Sequence, residues 1–176
     1  MRTRAASVLA ALLCVGCAAV PQAPDVLAGD SYSGRLALRV EATPSTPPRA
    51  LSAAFELRGN ARAGRLELVS PLGTLLAQAR WAAGRVTLVT PHSEQDFADL
   101  DALTREVLGE PIPIAALFDW LRGQPWPGAA SSATTAPPGF EQLGWTVDLA
   151  RFDDALINAR RAHAPAVTVR IKLDRS

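Results

Sequence analysis

Few side chains in this chain are placed to do chemistry. His92 and His163 are its two histidines. His92-Ser93-Glu94 has the H-x-E form of a zinc site that activates water, with the imidazole on the metal and the carboxylate moving the proton. That site also needs a cysteine pair downstream, and no cysteine follows Cys17. Neither a G-x-S-x-G turn, which would expose a nucleophilic serine, nor a phosphate-cradling glycine loop occurs. A Ser-His-Asp arrangement is recognised by geometry rather than spacing, so the sequence leaves it open. The expectation is a protein without catalysis, metal or cofactor that works through apolar surface.

The one segment that predicts a covalent reaction is the N-terminus. Arg2 and Arg4 precede an apolar run, Ala5 to Val15. That run is too short to span a bilayer, which takes about 20 residues. It has the layout of an export signal. It ends at Cys14-Val15-Gly16-Cys17, which is similar to the lipobox of bacterial lipoproteins, although Cys14 stands where leucine is usual and Leu13 comes one place early. Cleavage after Gly16 leaves Cys17 as the new N-terminus and the site of lipidation. Past that cut Cys17 is the lone cysteine and has no intramolecular disulfide partner. A free thiol is a liability in an oxidising compartment, and acylation removes it. Each buried methylene contributes about 0.8 kcal/mol, so several chains anchor stably where one does not. Ala18 follows, where an aspartate commonly signals retention at the inner membrane; alanine favours the outer membrane.

The remaining elements must position whatever the anchored domain does. A chain of 176 residues holds one domain plus a leader, and 48% hydrophobic with 20% charged residues is enough to build a core. Eighteen basic residues face seventeen acidic ones, and loss of Arg2 and Arg4 leaves the balance near neutral. No basic surplus points to nucleic acid, and membrane attachment falls to hydrophobic groups. The expected organisation is a signal peptide over 1–16, a tether over 17–30 and one domain over 31–176.

From Ser31 the hydropathy has period two. Leu36, Leu38 and Val40 alternate with arginines and alanine; Leu51, Ala53, Phe55 and Leu57 share a face. So do Leu66 and Leu68; Leu75, Ala77, Ala79 and Trp81; and Val86 and Leu88. Trp145, Val147 and Leu149, and then Val167, Val169, Ile171 and Leu173, continue the pattern. One apolar and one wet face per run, with short loops between runs, predicts an antiparallel meander. Two helices interrupt it. Asp99 is the expected N-cap of the first, with Leu100, Leu103, Val107 and Leu108 on one face and Gly109 as its stop. Pro113 opens the second, whose Ile114, Leu117, Phe118 and Leu121 form a stripe widened by Trp120, with Gly123 ending it. Residues 125–139 are rich in Pro, Ala, Ser, Thr and Gly and predict a mobile loop.

The fold class is therefore mainly β, of α+β type: a wide apolar sheet face and two short helices. Such a lopsided pair of layers either leaves an apolar cavity under a helical lid or packs into a filled core. Patterning alone leaves both open.

Three segments resemble the LolB family of outer-membrane lipoproteins. They are Leu66-Glu67-Leu68-Val69-Ser70-Pro71-Leu72-Gly73-Thr74; Gly109-Glu110-Pro111-Ile112-Pro113-Ile114 running on to Asp119-Trp120-Leu121-Arg122-Gly123; and Gly139-Phe140-Glu141-Gln142-Leu143-Gly144-Trp145. Their order and spacing agree across nearly the whole mature chain, apart from the low-complexity 125–139 stretch. The resemblance implies an open antiparallel β half-barrel with short helices as a lid over an apolar cavity. It implies a monomeric receptor on the periplasmic face of the outer membrane, held there by its lipid anchor. Such a receptor takes lipoproteins from the periplasmic carrier LolA and inserts them into that membrane without nucleotide hydrolysis. The competing expectation is a lipid-anchored scaffold of an envelope assembly with a packed core and no ligand.

Two sets of site residues follow. Ser70-Pro71-Leu72-Gly73 reads as a tight turn with proline second and glycine fourth, which puts Leu72 at the tip. Scattered exposed leucines are normal; the resemblance implies that this one protrudes and serves membrane delivery. Phe55, Leu66, Leu68, Trp81, Leu88, Leu117, Trp120, Leu121 and Trp145 are the candidate acyl-chain cavity, each with plain core as its alternative. The three tryptophans suit a wide slot, provided each indole N–H finds a partner.

Overall fold

The computed structural model describes residues 29–174. Cys17 and nearly all of the expected signal peptide and tether lie outside the described residues. Eleven strands form one sheet: β1 (Asp30–Val40), β2 (Arg49–Gly59), β3 (Gly64–Val69), β4 (Leu75–Ala82), β5 (Arg85–Val89), β6 (Glu94–Phe97), β7 (Ser131–Thr135), β8 (Pro138–Gln142), β9 (Trp145–Asp148), β10 (Leu156–Arg161) and β11 (Val167–Leu173). Two helices, α1 (Leu100–Leu108) and α2 (Ile114–Trp120), fall between β6 and β7. The strand order is β6-β5-β4-β3-β2-β1-β11-β10-β9-β8-β7, all antiparallel. β6 and β7 do not pair, so the sheet stays open as a half-barrel.

This order forces the helices onto the apolar face. The chain meanders outward from β1 to one edge at β6, and must next begin β7 at the opposite edge. The connection carrying α1 and α2 therefore crosses the sheet. Aromatic contacts show how far the sheet curls to meet it. Phe118 of α2 packs edge-on to Trp81 of β4 at 6.2 Å between ring centroids. Two residues on, Trp120 meets Phe140 of β8 at 6.3 Å and Trp145 of β9 at 6.1 Å. β4 and β8 stand seven places apart in the strand order, about 34 Å in a flat sheet at ~4.8 Å per strand. A seven-residue helix is roughly 10 Å long. It touches both strands because the sheet wraps around it.

The burial of α2 reflects that position. Ile114, Ala116, Phe118 and Trp120 are buried and Leu117 is half-buried, so apolar contact surrounds most of the helix. The expected one-sided stripe is thus part of a plug inside the half-barrel. α1 lies against β5 and β6 and is the more conventional lid. Its caps match the sequence: Asp99 accepts a 2.7 Å bond from the Ala102 N–H, and Gly109 takes φ +82° where its N–H reaches the Arg105 carbonyl.

The segment 125–139, expected as a mobile loop, instead contains β7 and the start of β8. Ladder pairing with β8 supplies what local composition lacks, and a buried amide below it supplies the rest. Gln142 accepts from the Trp126 N–H at 2.8 Å and donates to the carbonyls of Trp126 at 2.7 Å and Ala129 at 2.8 Å. β6 and β10 were also unforeseen; β6 is four residues long and mostly polar, and β10 ends on a buried arginine.

Candidate functional site

Two features of this fold are open to function: the β3–β4 turn and the apolar face that α2 fills. The turn is held rigidly by its own polar groups. The Ser70 N–H donates to the Thr74 carbonyl at 2.8 Å, and the Gly73 N–H to the Ser70 carbonyl at 2.9 Å. The Ser70 hydroxyl accepts from the N–H groups of Leu72 at 3.3 Å and Thr74 at 3.1 Å. Gly73 sits at φ +83°, the left-handed position that closes a three-residue hairpin loop. With every nearby hydrogen bond made by the backbone or Ser70, the Leu72 side chain is left 94% exposed. An ordered turn that holds one large apolar side chain in water is the arrangement the sequence predicted.

The nine candidate cavity residues all join one apolar cluster. Phe55, Leu88, Trp81, Trp120, Leu121 and Trp145 are buried, and Leu66, Leu68 and Leu117 pack against them partly covered. They come from β2, β3, β4, β5, α2 and β9 and from the residue just past α2, so the curl of the sheet gathers them around the helix. Two of the indoles meet the demand for a partner. Trp81 Nε1 donates to the Asn60 carbonyl at 3.0 Å, and its ring lies over Gly64, where an added Cβ would come within 2.3 Å of it. Trp120 Nε1 donates to Gln142 Oε1 at 2.8 Å.

Polar residues that sequence reasoning missed hold the plug in place. Gln142 ties Trp120 and the 126–129 segment to β8 through four bonds. Its signal was available: it follows Phe140 at an inward position, and a polar residue on an apolar face must be satisfied. Arg161 is the second. Its side chain is 5% exposed, bridges Glu110 at 2.5 Å in the α1–α2 link, and lies 5.6 Å above the Trp145 ring. Among the described residues its Nε has no hydrogen-bond partner. The missed β10 hid it. Thr104 is the third; its hydroxyl donates to the Leu100 carbonyl at 3.1 Å and accepts from the Ile112 N–H at 2.9 Å.

The far end of α2 is clamped by charge. Arg122 bridges Asp119 on the helix and, at 2.6 Å, Asp30 at the start of β1. The hydrogen bond to Asp119 pushes the Arg122 guanidinium up, and burial followed by the Asp30 charge pushes the Tyr32 phenol up. His92 sits in the β5–β6 turn, where its N–H reaches the Thr90 hydroxyl at 3.3 Å. His163 lies in the β10–β11 loop, in the other half of the sheet. Among the described residues no helix is long and apolar enough to cross a membrane.

Comparison with known proteins places this geometry. The family model described as outer membrane lipoprotein LolB matches residues 31–175. The outer-membrane lipoprotein LolB of Bordetella petrii is 38% identical, over 83% of this chain and 78% of its own. That of Ralstonia nicotianae is 32% identical over 95% of this chain and 84% of its own. That of Chromobacterium violaceum is 33% identical over 82% and 80%. Residues 31–175, matched by the family model, take in the Leu72 turn, the two helices and all eleven strands but for Asp30, and the chain belongs to the LolB family of outer-membrane lipoproteins.

Proposed function

We propose that this protein accepts lipoproteins from the periplasmic carrier LolA, holds their acyl chains against the concave face of the sheet, and releases them into the outer membrane. The observation that carries the proposal is α2 itself. A seven-residue apolar helix occupies the inside of a half-barrel that is open along one side. Isolated helices shorter than about 12–15 residues are marginal in water, so α2 is ordered by the face it covers. An acyl chain offers that face the same kind of surface. The incoming chain takes the place of α2, and the helix swings out on its links. Chains pass from carrier to acceptor without meeting water, since exposing them costs about 0.8 kcal/mol per methylene. Direction follows from tighter binding at each stage, and no nucleotide is consumed.

The test is to add the purified protein to carrier loaded with a radiolabelled lipoprotein and follow the label. Transfer to this protein, with displacement of a lipid-reporter dye by acyl ligand, is the expected result. A core that displaces no dye and takes no cargo would leave the scaffold reading.

Anchoring is a separate expectation. Gly16-Cys17 at the end of the apolar run predicts that the mature chain starts at Cys17 and carries acyl groups there. Mass spectrometry of the N-terminal peptide should show the added lipid mass; an unmodified thiol or another start residue would end that claim.

A further inference from the structure

The outer, convex face of the sheet carries its charge unevenly. Over β2, β3 and β4 each outward arginine has its own carboxylate: Arg58 with Glu56, Arg65 with Glu67 at 3.4 Å, and Arg80 with Glu94 at 3.5 Å. Over β10, β11 and β1 the register lines up a different set. Arg160 pairs across to Thr168 and Thr168 to Arg39; Asn158 to Arg170 and Arg170 to Ala37; Leu156 to Lys172 and Lys172 to Arg35. These three rows hold five cations and no acid. Arg39 is bridged to Glu41 at 2.8 Å. Arg170 donates to the neutral amide of Asn158 at 3.1 Å, and Lys172 to the Asp154 carbonyl. Among the described residues none of Arg35, Arg160, Arg170 and Lys172 is in an ion pair, and all four are exposed.

The rows next to this block are made of small residues. Ala50, Ser52 and Ala54 of β2 face outward beside Arg39, Ala37 and Arg35. A depression lined by Arg35, Ser52, Ala54, Val69, Ser70 and Pro71 joins that strip to the base of the Leu72 turn. A second depression, lined by Ala37, Arg39, Ala50, Ser52, Thr168 and Arg170, continues from it across β1. The β3–β4 register shifts between Leu68 and Val69, at the foot of that hairpin. The exposed leucine and the unpaired cations thus stand on one continuous surface.

We propose that this face, centred on Arg35, Arg170 and Lys172, is an electrostatic docking surface for the anionic phospholipid of the bilayer that receives the cargo. The occupant is argued from charge and continuity. The guanidinium groups match lipid phosphates, and a juxtaposed Lys or Arg is attracted to an anionic leaflet over about a Debye length. The proposal rests on the reading that Leu72 enters the membrane, and adds the orientation in which it does so. The near-neutral net charge of the chain conceals the face, because it sums over the whole surface.

The test uses the mature chain from position 17 on, carrying Cys17→Ala and exported behind an ordinary cleavable signal so that neither a lipid anchor nor the apolar leader contributes, and vesicles of phosphatidylcholine with or without phosphatidylglycerol. At low ionic strength binding to the anionic vesicles should be at least roughly tenfold tighter, and added salt should erase the difference. Arg35→Glu with Arg170→Glu should bring anionic binding down to the neutral level, with unchanged circular dichroism. Arg62→Glu with Arg105→Glu, an equal charge change elsewhere, should leave the preference in place. Leu72→Glu should weaken binding to both kinds of vesicle. If Leu72→Glu has no effect while the Arg35/Arg170 pair does, the docking face stands and the leucine reading falls. The proposal is overturned if the Arg35/Arg170 change leaves the anionic preference intact, or if the Arg62/Arg105 change removes it equally. It is also overturned if the Arg35/Arg170 change spares vesicles and instead abolishes binding to the carrier protein.

Discussion

Leu72→Glu should leave this protein folded and able to take up cargo, and should stop it from delivering that cargo to a membrane. Leu72 is 94% exposed and its turn is closed by backbone and Ser70 bonds that no side chain at position 72 provides. The stability change should therefore stay within about 0.5 kcal/mol, as for surface substitutions away from special features. Delivery is different. Burying a leucine side chain contributes about 1.5–3 kcal/mol, worth roughly ten- to a hundredfold in an equilibrium at ~1.4 kcal/mol per tenfold. A carboxylate not only forgoes that gain but resists leaving water. Cargo should accumulate on the variant, and transfer to liposomes should fall by at least about tenfold. Leu72→Phe should deliver normally, since the role asks for apolar surface and not for one shape. A normal delivery rate for Leu72→Glu would remove the turn from the release step.

Trp120→Ala should have the largest effect on the fold. The indole is 2% exposed, touches the rings of Phe140 and Trp145, and spends its one polar atom on Gln142. Large-to-small changes of this kind cost about 3–5 kcal/mol, a large part of the roughly 5–15 kcal/mol that holds a domain together. Urea unfolding should show the unfolding free energy falling by that amount, with the midpoint moving down accordingly. Gln142 should limit the damage, because its Oε1 still accepts from the Trp126 N–H. Trp120→Phe should cost less, keeping much of the apolar contact while losing the indole bond. The functional readout is acyl-ligand affinity measured on the folded fraction. If acyl chains pack where α2 now lies, the docked helix competes with them, so both variants should bind acyl ligand more tightly, the alanine variant more so. Unchanged affinity with reduced stability would make Trp120 ordinary core.

The local elements were legible because their information is local. Period-two alternation named most of the strands, Asp99 and Gly109 bracketed α1, and Ser70-Pro71-Leu72-Gly73 described a turn whose geometry depends on those four residues. Leu72 could be placed at a tip for the same reason. Even membership of the apolar cluster was readable, since alternation states which side of a strand faces inward. What alternation does not state is where each strand lies in the sheet. Residues 125–139 carry no hydrophobic period, so β7 is set by pairing with β8 and by Gln142 beneath it. Arg161 reads as a surface charge until β10 turns it toward Glu110. Ile114 to Trp120 reads as a one-sided lid until the strand order requires the chain to cross between sheet edges and the sheet curls round it. The cationic rows are the extreme case. Arg35, Arg160, Arg170 and Lys172 are up to 137 positions apart in number, and only the return of β11 to pair with β1 brings them onto one face. Side-chain alternation is a property of a single strand and is written in its own residues, whereas strand order and register are long-range choices, made by the chain as a whole when it buries its apolar surface.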